Sequence, residues 1–155
     1  MLDRAERILR ELLAAKGRNS DRAATLLIEL LEEEGEWSNI LELYKDKKLP
    51  ATARLNRRVS HAVCELAERA LKKSDFLEVQ QLCKQALKID SACARAYVVQ
   101  GDLAFGQNEY REAVRCYLKA AEIDESSVVS VVERMTEAFS ISGDKEGLKT
   151  HLHDQ

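Results

Sequence analysis

ARAYVVQGDLAFGQNEYREAVRCYLKAAEIDESS, residues 94–127, decides the fold. Its aromatic Tyr97 is followed four residues later by Gly101 and three further on by Ala104; then come Ala113, Tyr117 four on, and Ala120. Small residues at helical spacing let two antiparallel helices approach closely, and large rings beside them fill the remaining gaps. Gly101 and Ala113 are the close-approach positions here, and Tyr97 and Tyr117 the fillers. The stretch reads as one helix–turn–helix unit, and the unit recurs. Phe76 and Tyr110, Ala86 and Ala120, Ile89 and Ile123, and Asp90 and Asp124 are each 34 residues apart. Local text agrees: KQALKID at 84–90 aligns with LKAAEID at 118–124. A fixed period of this size marks stacked helical hairpins, none of which buries its apolar face alone.

The unit resembles a tetratricopeptide repeat. It departs from that pattern at Gln100, where Leu is usual, at Ala104, where Tyr is usual, and at Glu125, where a closing Pro is usual. None of these removes the small-residue contacts. The resemblance implies an all-α fold: a superhelix of antiparallel helix pairs, about nine helices in this chain, with first helices lining a concave face. Four such units are expected besides a leading half: a half repeat at 2–20, repeats at 21–54, 60–93 and 94–127, and a partial repeat at 128–155.

Composition fits one helical domain. The 155 residues include one Pro and six Gly, and 33% are charged. Lys and Arg number 24 against 27 Asp and Glu, a net charge of −3. That balance disfavours a phosphate backbone, so no nucleic acid is expected as ligand. No apolar run approaches a bilayer span, so direct membrane insertion by these residues is not expected. Residues 2–13 are amphipathic, interrupted by Asp3, Arg4, Glu6, Arg7, Arg10 and Glu11, and do not read as a secretory leader. Cys64, Cys83, Cys93 and Cys116 are separated by 19, 10 and 23 residues, without the spacing of a metal knuckle or redox motif. They read as small, partly buried side chains in a reducing cytoplasm.

In chain order, a first helix over 2–16 carries Leu2, Ala5, Ile8, Leu9, Leu12 and Leu13 at helical spacing. Ser20 or Asp21 is placed to cap the next, over 21–34, which buries Ala23, Ala24, Leu27, Leu30 and Leu31. Glu32, Glu33 and Glu34 read as a solvated helix end rather than an acidic docking patch. Gly-Glu-Trp at 35–37 occupies the same turn as Asn-Glu-Tyr at 108–110. Trp37 therefore matches Phe76 and Tyr110 as the ring that opens a second helix. Trp37 and Phe76 are 39 residues apart, five beyond the period, and the surplus sits around Pro50, which breaks the helix. The following first helix is expected to start early, near Thr52 or Ala53. Lys45, Lys47, Lys48, Arg54, Arg57 and Arg58 gather nearby and read as solvated helix ends. Asp75 and Glu78 form a candidate capping box. The last unit turns at Ser142-Gly143-Asp144 and breaks off within a second helix over 145–155.

No catalytic constellation appears, and no cofactor motif: there is neither a glycine-rich phosphate loop nor a nucleophile motif. His151 and His153 are two apart and diverge on a helix, and His61 stands alone, so no metal site is read. The expected function is protein or peptide binding on the inner face. Repeat positions two, five, nine and twelve point inward. In successive units these are His61, Cys64, Glu68 and Leu71; Arg95, Val98, Asp102 and Phe105; and Val129, Val132, Thr136 and Phe139. The set mixes apolar anchors with charge, as a peptide groove does; a plainly solvated groove is the bland counterpart. Some repeats of this kind clamp a chaperone's terminal carboxylate with Lys and Asn. Here Cys64, Glu68, Val98 and Asp102 hold those places, and acids repel a carboxylate.

Three segments carry a narrower likeness: Asp3-Arg4-Ala5-Glu6-Arg7-Ile8, Gly35-Glu36-Trp37, and His61-Ala62-Val63-Cys64-Glu65-Leu66-Ala67 after Arg57-Arg58. With them the chain resembles the cytoplasmic repeat region of the bacterial lipopolysaccharide assembly protein B family. The resemblance implies a fragment of a chain that has an N-terminal inner-membrane helix and a C-terminal rubredoxin-like metal knuckle. It also implies an adaptor between a membrane protease and the deacetylase that commits precursor to lipid A. It supplies no catalytic residue. A substrate-recruiting arm of a larger enzyme such as a glycosyltransferase, and self-association through exposed repeat ends, are the alternatives.

Overall fold

Two kinds of turn join the helices, and from Ser74 to Asp124 they alternate, each recurring after 34 residues. Gly35, Ser74 and Asn108 each adopt a left-handed conformation, with φ of 70°, 60° and 64°. Each is followed by a residue whose N–H reaches back over the helix end: Glu36 to the Leu31 carbonyl at 2.8 Å, Asp75 to Ala70 at 3.0 Å, and Glu109 to Ala104 at 2.8 Å. This six-to-one bond closes a helix and reverses the chain. One residue later Trp37, Phe76 and Tyr110 open the second helices. At the other kind of turn, Asp90 and Asp124 leave the helix in extended conformation. Their carboxylates accept the N–H two residues on, from Ala92 at 3.1 Å and Ser126 at 3.0 Å. The repeated Ile-Asp of the sequence is this turn.

In a computed structural model, residues 2–142 are described and form eight α-helices with no strand among them. They are α1 (Leu2–Ala14), α2 (Ser20–Glu33), α3 (Trp37–Lys45), α4 (Ala53–Lys72), α5 (Phe76–Ile89), α6 (Ala94–Gly106), α7 (Tyr110–Ile123) and, after a 3-10 turn at Glu125–Ser127, α8 (Val128–Ser142). The expected turn past Ser142, the helix over 145–155, His151 and His153 lie outside the described residues, as does the Phe139 side chain. No helix among the described residues is long and apolar enough to cross a membrane.

Each helix packs on its neighbours in the chain, and first helices α2 and α4, and α4 and α6, also touch. The core is accordingly strung out rather than central. Leu27, Ile28, Leu31, Ile40, Val59 and Val63 fill one cluster. Ala67, Val79, Cys83 and Val99 fill the next, and Ala104, Ala113, Tyr117, Ala120 and Val131 the last. Neighbour-to-neighbour burial is the defining economy of a helical repeat.

Several local expectations are corrected. Neither Ser20 nor Asp21 caps α2: Asn19 holds the cap position, and no side chain bonds there. The capping box at α5 is half formed. Asp75 accepts from the Glu78 N–H at 3.4 Å, but its own N–H is already taken by Ala70. Among the described side chains of α1 only Leu13 is buried, with Leu9 half-buried, while Ile8 and Leu12 are each 46% exposed. Among the described residues α1 leans chiefly on α2, so part of its apolar stripe stays uncovered. Pro50 was expected to break the helix, but α3 already ends at Lys45: Lys47 is left-handed, with φ of 55°, and the Lys48 N–H reaches the Leu43 carbonyl at 3.0 Å. Pro50 lies in the non-helical link that follows, which runs to Thr52, whose hydroxyl accepts from the Leu55 N–H at 3.2 Å and starts α4. That makes α4 twenty residues long against thirteen for α6.

Candidate binding face

The first helices are joined by a ladder of arginines. Arg58 on α4 reaches back to α2, 3.0 Å from Glu32 and 3.5 Å from Glu29. Arg95 on α6 reaches back to α4. Its Nη2 donates to Glu65 and to Glu68, both at 2.7 Å, and its Nε to Glu68 at 3.2 Å. Arg134 on α8 reaches back to Asp102 on α6 at 3.0 Å. In the first two rungs the acceptors are glutamates three apart on one helix, which places them on one face. A planar guanidinium matches that paired geometry better than an ammonium does.

His61 completes the middle rung. Its Nδ1 lies 2.9 Å from Arg95 Nη1, and its ring packs edge-on against Trp37, with centroids 6.0 Å apart at 77°. Burial alone would lower the Arg95 pKa, but the bonds to Glu68 and Glu65 outweigh it and hold the guanidinium firmly charged. At the next rung, Asp102 accepts from the Tyr117 hydroxyl at 2.6 Å as well as from Arg134. Burial pushes the Asp102 carboxyl up, against the opposing pull of Tyr117 and Arg134. No buried side-chain nitrogen or oxygen among the described residues lacks a hydrogen-bond partner.

The structure thus gathers His61, Glu68, Arg95 and Asp102 into bonded rungs. Leu71, Val98 and Phe105 are half-buried beside them, with Phe105 packed edge-on to Tyr110 at 5.5 Å. Val129 and Val132 are 73% and 51% exposed. Thr136 is exposed, and its hydroxyl donates back to the Val132 carbonyl. Cys64 is corrected. It is 1% exposed and turned toward Cys93, so no partner can touch it. The reading of Glu32 and Arg58 as solvated helix ends is corrected too, because they pair across 26 residues. Sequence reasoning gave Glu29, Glu65 and Arg134 no place on this face. The signal available was an Arg followed back 26 to 32 residues to acids on the preceding first helix.

Charge logic also changes. The acids at 68 and 102 are compensated, so bare repulsion does not describe this wall. Arg95 and Arg134 are already engaged, so neither stands ready for a carboxylate. On another side of α4, a groove of about 580 Å³ runs between α3, α4 and α5, lined by Ser38, Lys45, Arg69, Glu78 and Gln81 among others.

No protein-family model matches the sequence, and no curated protein matches it. Among solved structures, the chain is similar to the TPR2B domain of yeast Sti1, determined in complex with pHsp70. The TM-score is 0.50 at 22% identity, over 77% of this chain and 96% of that one. The fold is a tetratricopeptide-repeat-like array.

One consequence of the wall is measurable without a partner. The folded state raises the Asp102 pKa above the ordinary 3.8, so it favours the protonated carboxyl. Stability is therefore lost as pH rises from the unfolded value through the folded one. Asp102→Asn, which cannot ionise, is expected to gain on the parent through that window. Denaturation of both proteins between roughly pH 3 and pH 7 checks this; a gap that narrows with rising pH would show that Arg134 and Tyr117 outweigh burial.

Proposed function

We propose that this chain is a non-catalytic interaction scaffold that seats a peptide or helix of another protein on the wall formed by α4, α6 and α8. The observation that carries this reading is the arginine ladder. It fixes consecutive first helices to one another and leaves Leu71, Val98, Phe105 and Val132 as apolar steps between charged rungs. A surface set in advance loses little freedom on binding, which favours affinity. The similar Sti1 domain, solved with pHsp70, supports a peptide-like partner.

The local charge favours a different peptide from a carboxylate-terminated tail. Glu65, Glu68 and Asp102 outnumber Arg95 and Arg134, so a partner with apolar anchors and a mildly basic flank fits best. Selection from a displayed peptide library is expected to enrich such sequences, with no preference for a free over an amidated C-terminus. Phe105→Ala combined with Val132→Ala is expected to weaken the best peptide about 30-fold, the scale of losing anchor contacts. Gln81→Ala, in the separate groove, is the control. If the control weakens binding and the double variant does not, the groove is the site and the wall is not.

The narrower proposal is that this is the repeat arm of a membrane-tethered bacterial adaptor, facing the cytoplasm, which brings a protease to its substrate in the control of lipopolysaccharide synthesis. It rests on the likeness at 3–8, 35–37 and 61–67. Flanking gene sequence tests it. A membrane helix ahead of Met1 and a paired-cysteine knuckle beyond Gln155 are expected, whereas a glycosyltransferase domain would favour the substrate-recruiting alternative. Light scattering across concentrations tests self-association through the exposed edge at Val129 and Val132.

A further inference from the structure

Two cysteines that are 29 residues apart in sequence meet in the array. Cys64 Sγ and Cys93 Sγ are 3.6 Å apart, in hydrogen-bonding contact. Their settings differ. Cys64 lies in the middle of α4 and is 1% exposed. Cys93 is the residue before α6, half-buried, in the short turn from Asp90. A turn residue can shift by the ångström or two that separates thiol contact from an S–S bond of about 2.05 Å. Cys93 also sits at a helix N-terminus, where the Ala96 N–H and the helix dipole favour a thiolate.

We propose that Cys64 and Cys93 are a reversible disulfide site, closed by a hydroperoxide, that fastens α4 to the start of α6. The chemistry divides between the two sulfurs. The Cys93 thiolate attacks the terminal peroxide oxygen, the O–O bond breaks, and Cys93 becomes a sulfenic acid. With hydrogen peroxide the departing hydroxide takes a proton and leaves as water. Cys64 sulfur then attacks the Cys93 sulfur; its proton leaves with the sulfenic hydroxyl as a second water, and the S–S bond forms. Two thiols and one peroxide give one disulfide and two waters.

The surroundings fit this order. The Cys64 thiol hydrogen bond, set against burial, brings the Cys93 pKa down to about 6, with Ser60 and the Ala96 N–H helping and Asp90 opposing. The same hydrogen bond and burial push Cys64 up, with Cys83 adding to the rise and Arg95 opposing it, so Cys64 keeps its proton until the second step. Cys83 is fully buried and burial pushes it up to about 12, so it is a poor first nucleophile. The site adjoins the wall. Cys93 lies two residues before Arg95, and Cys64 lies beside Glu65 on the helix whose glutamates hold Arg95. Closing the S–S gap draws these two sides together and links the middle rung to redox state.

The test uses the whole chain. After hydrogen peroxide and quenching, denaturation and thiol titration are expected to fall from four free thiols to two, and dithiothreitol to restore four. Peptide mapping is expected to recover residues 64 and 93 in one cross-linked pair, and the melting temperature to rise by about 5–10 °C. In Cys64→Ser, dimedone is expected to trap a sulfenic acid on Cys93; Cys64→Ala with a circular-dichroism melt separates failure to fold from failure to react. Four thiols surviving in the parent, or a cross-link mapping to Cys83 or between chains, overturns the proposal whatever the variants do.

Discussion

Gly101→Leu is expected to destabilise the chain by about 3 kcal/mol or more, the upper range for forcing bulk into a closed seam. A Cβ built on Gly101 would fall 2.3 Å from Tyr117 Cε1 and 2.5 Å from Cδ1. The ring cannot step aside cheaply. Tyr117 is 1% exposed, and its hydroxyl is tied to Asp102 at 2.6 Å. Even Gly101→Ala should lose stability, although Ala is favoured over Gly inside a helix by about 1 kcal/mol. Gly106 provides the contrast on the same helix. There a Cβ would meet only Phe76, at 3.9 Å, so Gly106→Ala should be neutral or mildly stabilising. Thermal melts of the variants decide the matter, since 1 kcal/mol moves a chain of this size by about 2–4 °C. Trimming the ring in Tyr117→Leu should remove much of the Gly101→Ala penalty; additive losses would place the seam elsewhere.

Arg95→Ala is expected to lower stability by about 2 kcal/mol, the scale of charge-assisted bonds that are partly shielded from water. The change leaves Glu65 and Glu68 close together without their shared cation, and His61 without its guanidinium partner. An exposed arginine waiting for a ligand would be replaceable within about 0.5 kcal/mol. Melting temperature in the absence of any partner separates the two roles. The loss should shrink in a Glu68→Gln background and at high salt. It follows that reduced partner capture by an Arg95 variant would not by itself mark Arg95 as a contact. Phe105 and Val132 are the cleaner probes.

Much of the array was legible in the chain itself. The 34-residue spacing of Ala86 and Ala120 and of Asp90 and Asp124 marks two buried alanines and two matching Asx turns, while Ile89 is buried and Ile123 is 40% exposed. Trp37, Phe76 and Tyr110 open their helices as the reading expects, whereas α3 ends at a left-handed Lys47 and not at Pro50. The inner face was harder. Position five of the second unit was expected to face a partner, but Cys64 turns into the core. There it meets Cys93, in the turn before α6, sulfur to sulfur at 3.6 Å.

Sequence alone determined the hairpins, because turn chemistry and small-residue seams are local and repeat with the chain. The tertiary structure decided how those hairpins are linked. Arg58 meets Glu32, Arg95 meets Glu65 and Glu68, and Cys64 meets Cys93 only after the superhelix sets first helices side by side. Such pairings join side chains more than 25 residues apart, and no local pattern encodes a distance that depends on how one hairpin tilts against the next.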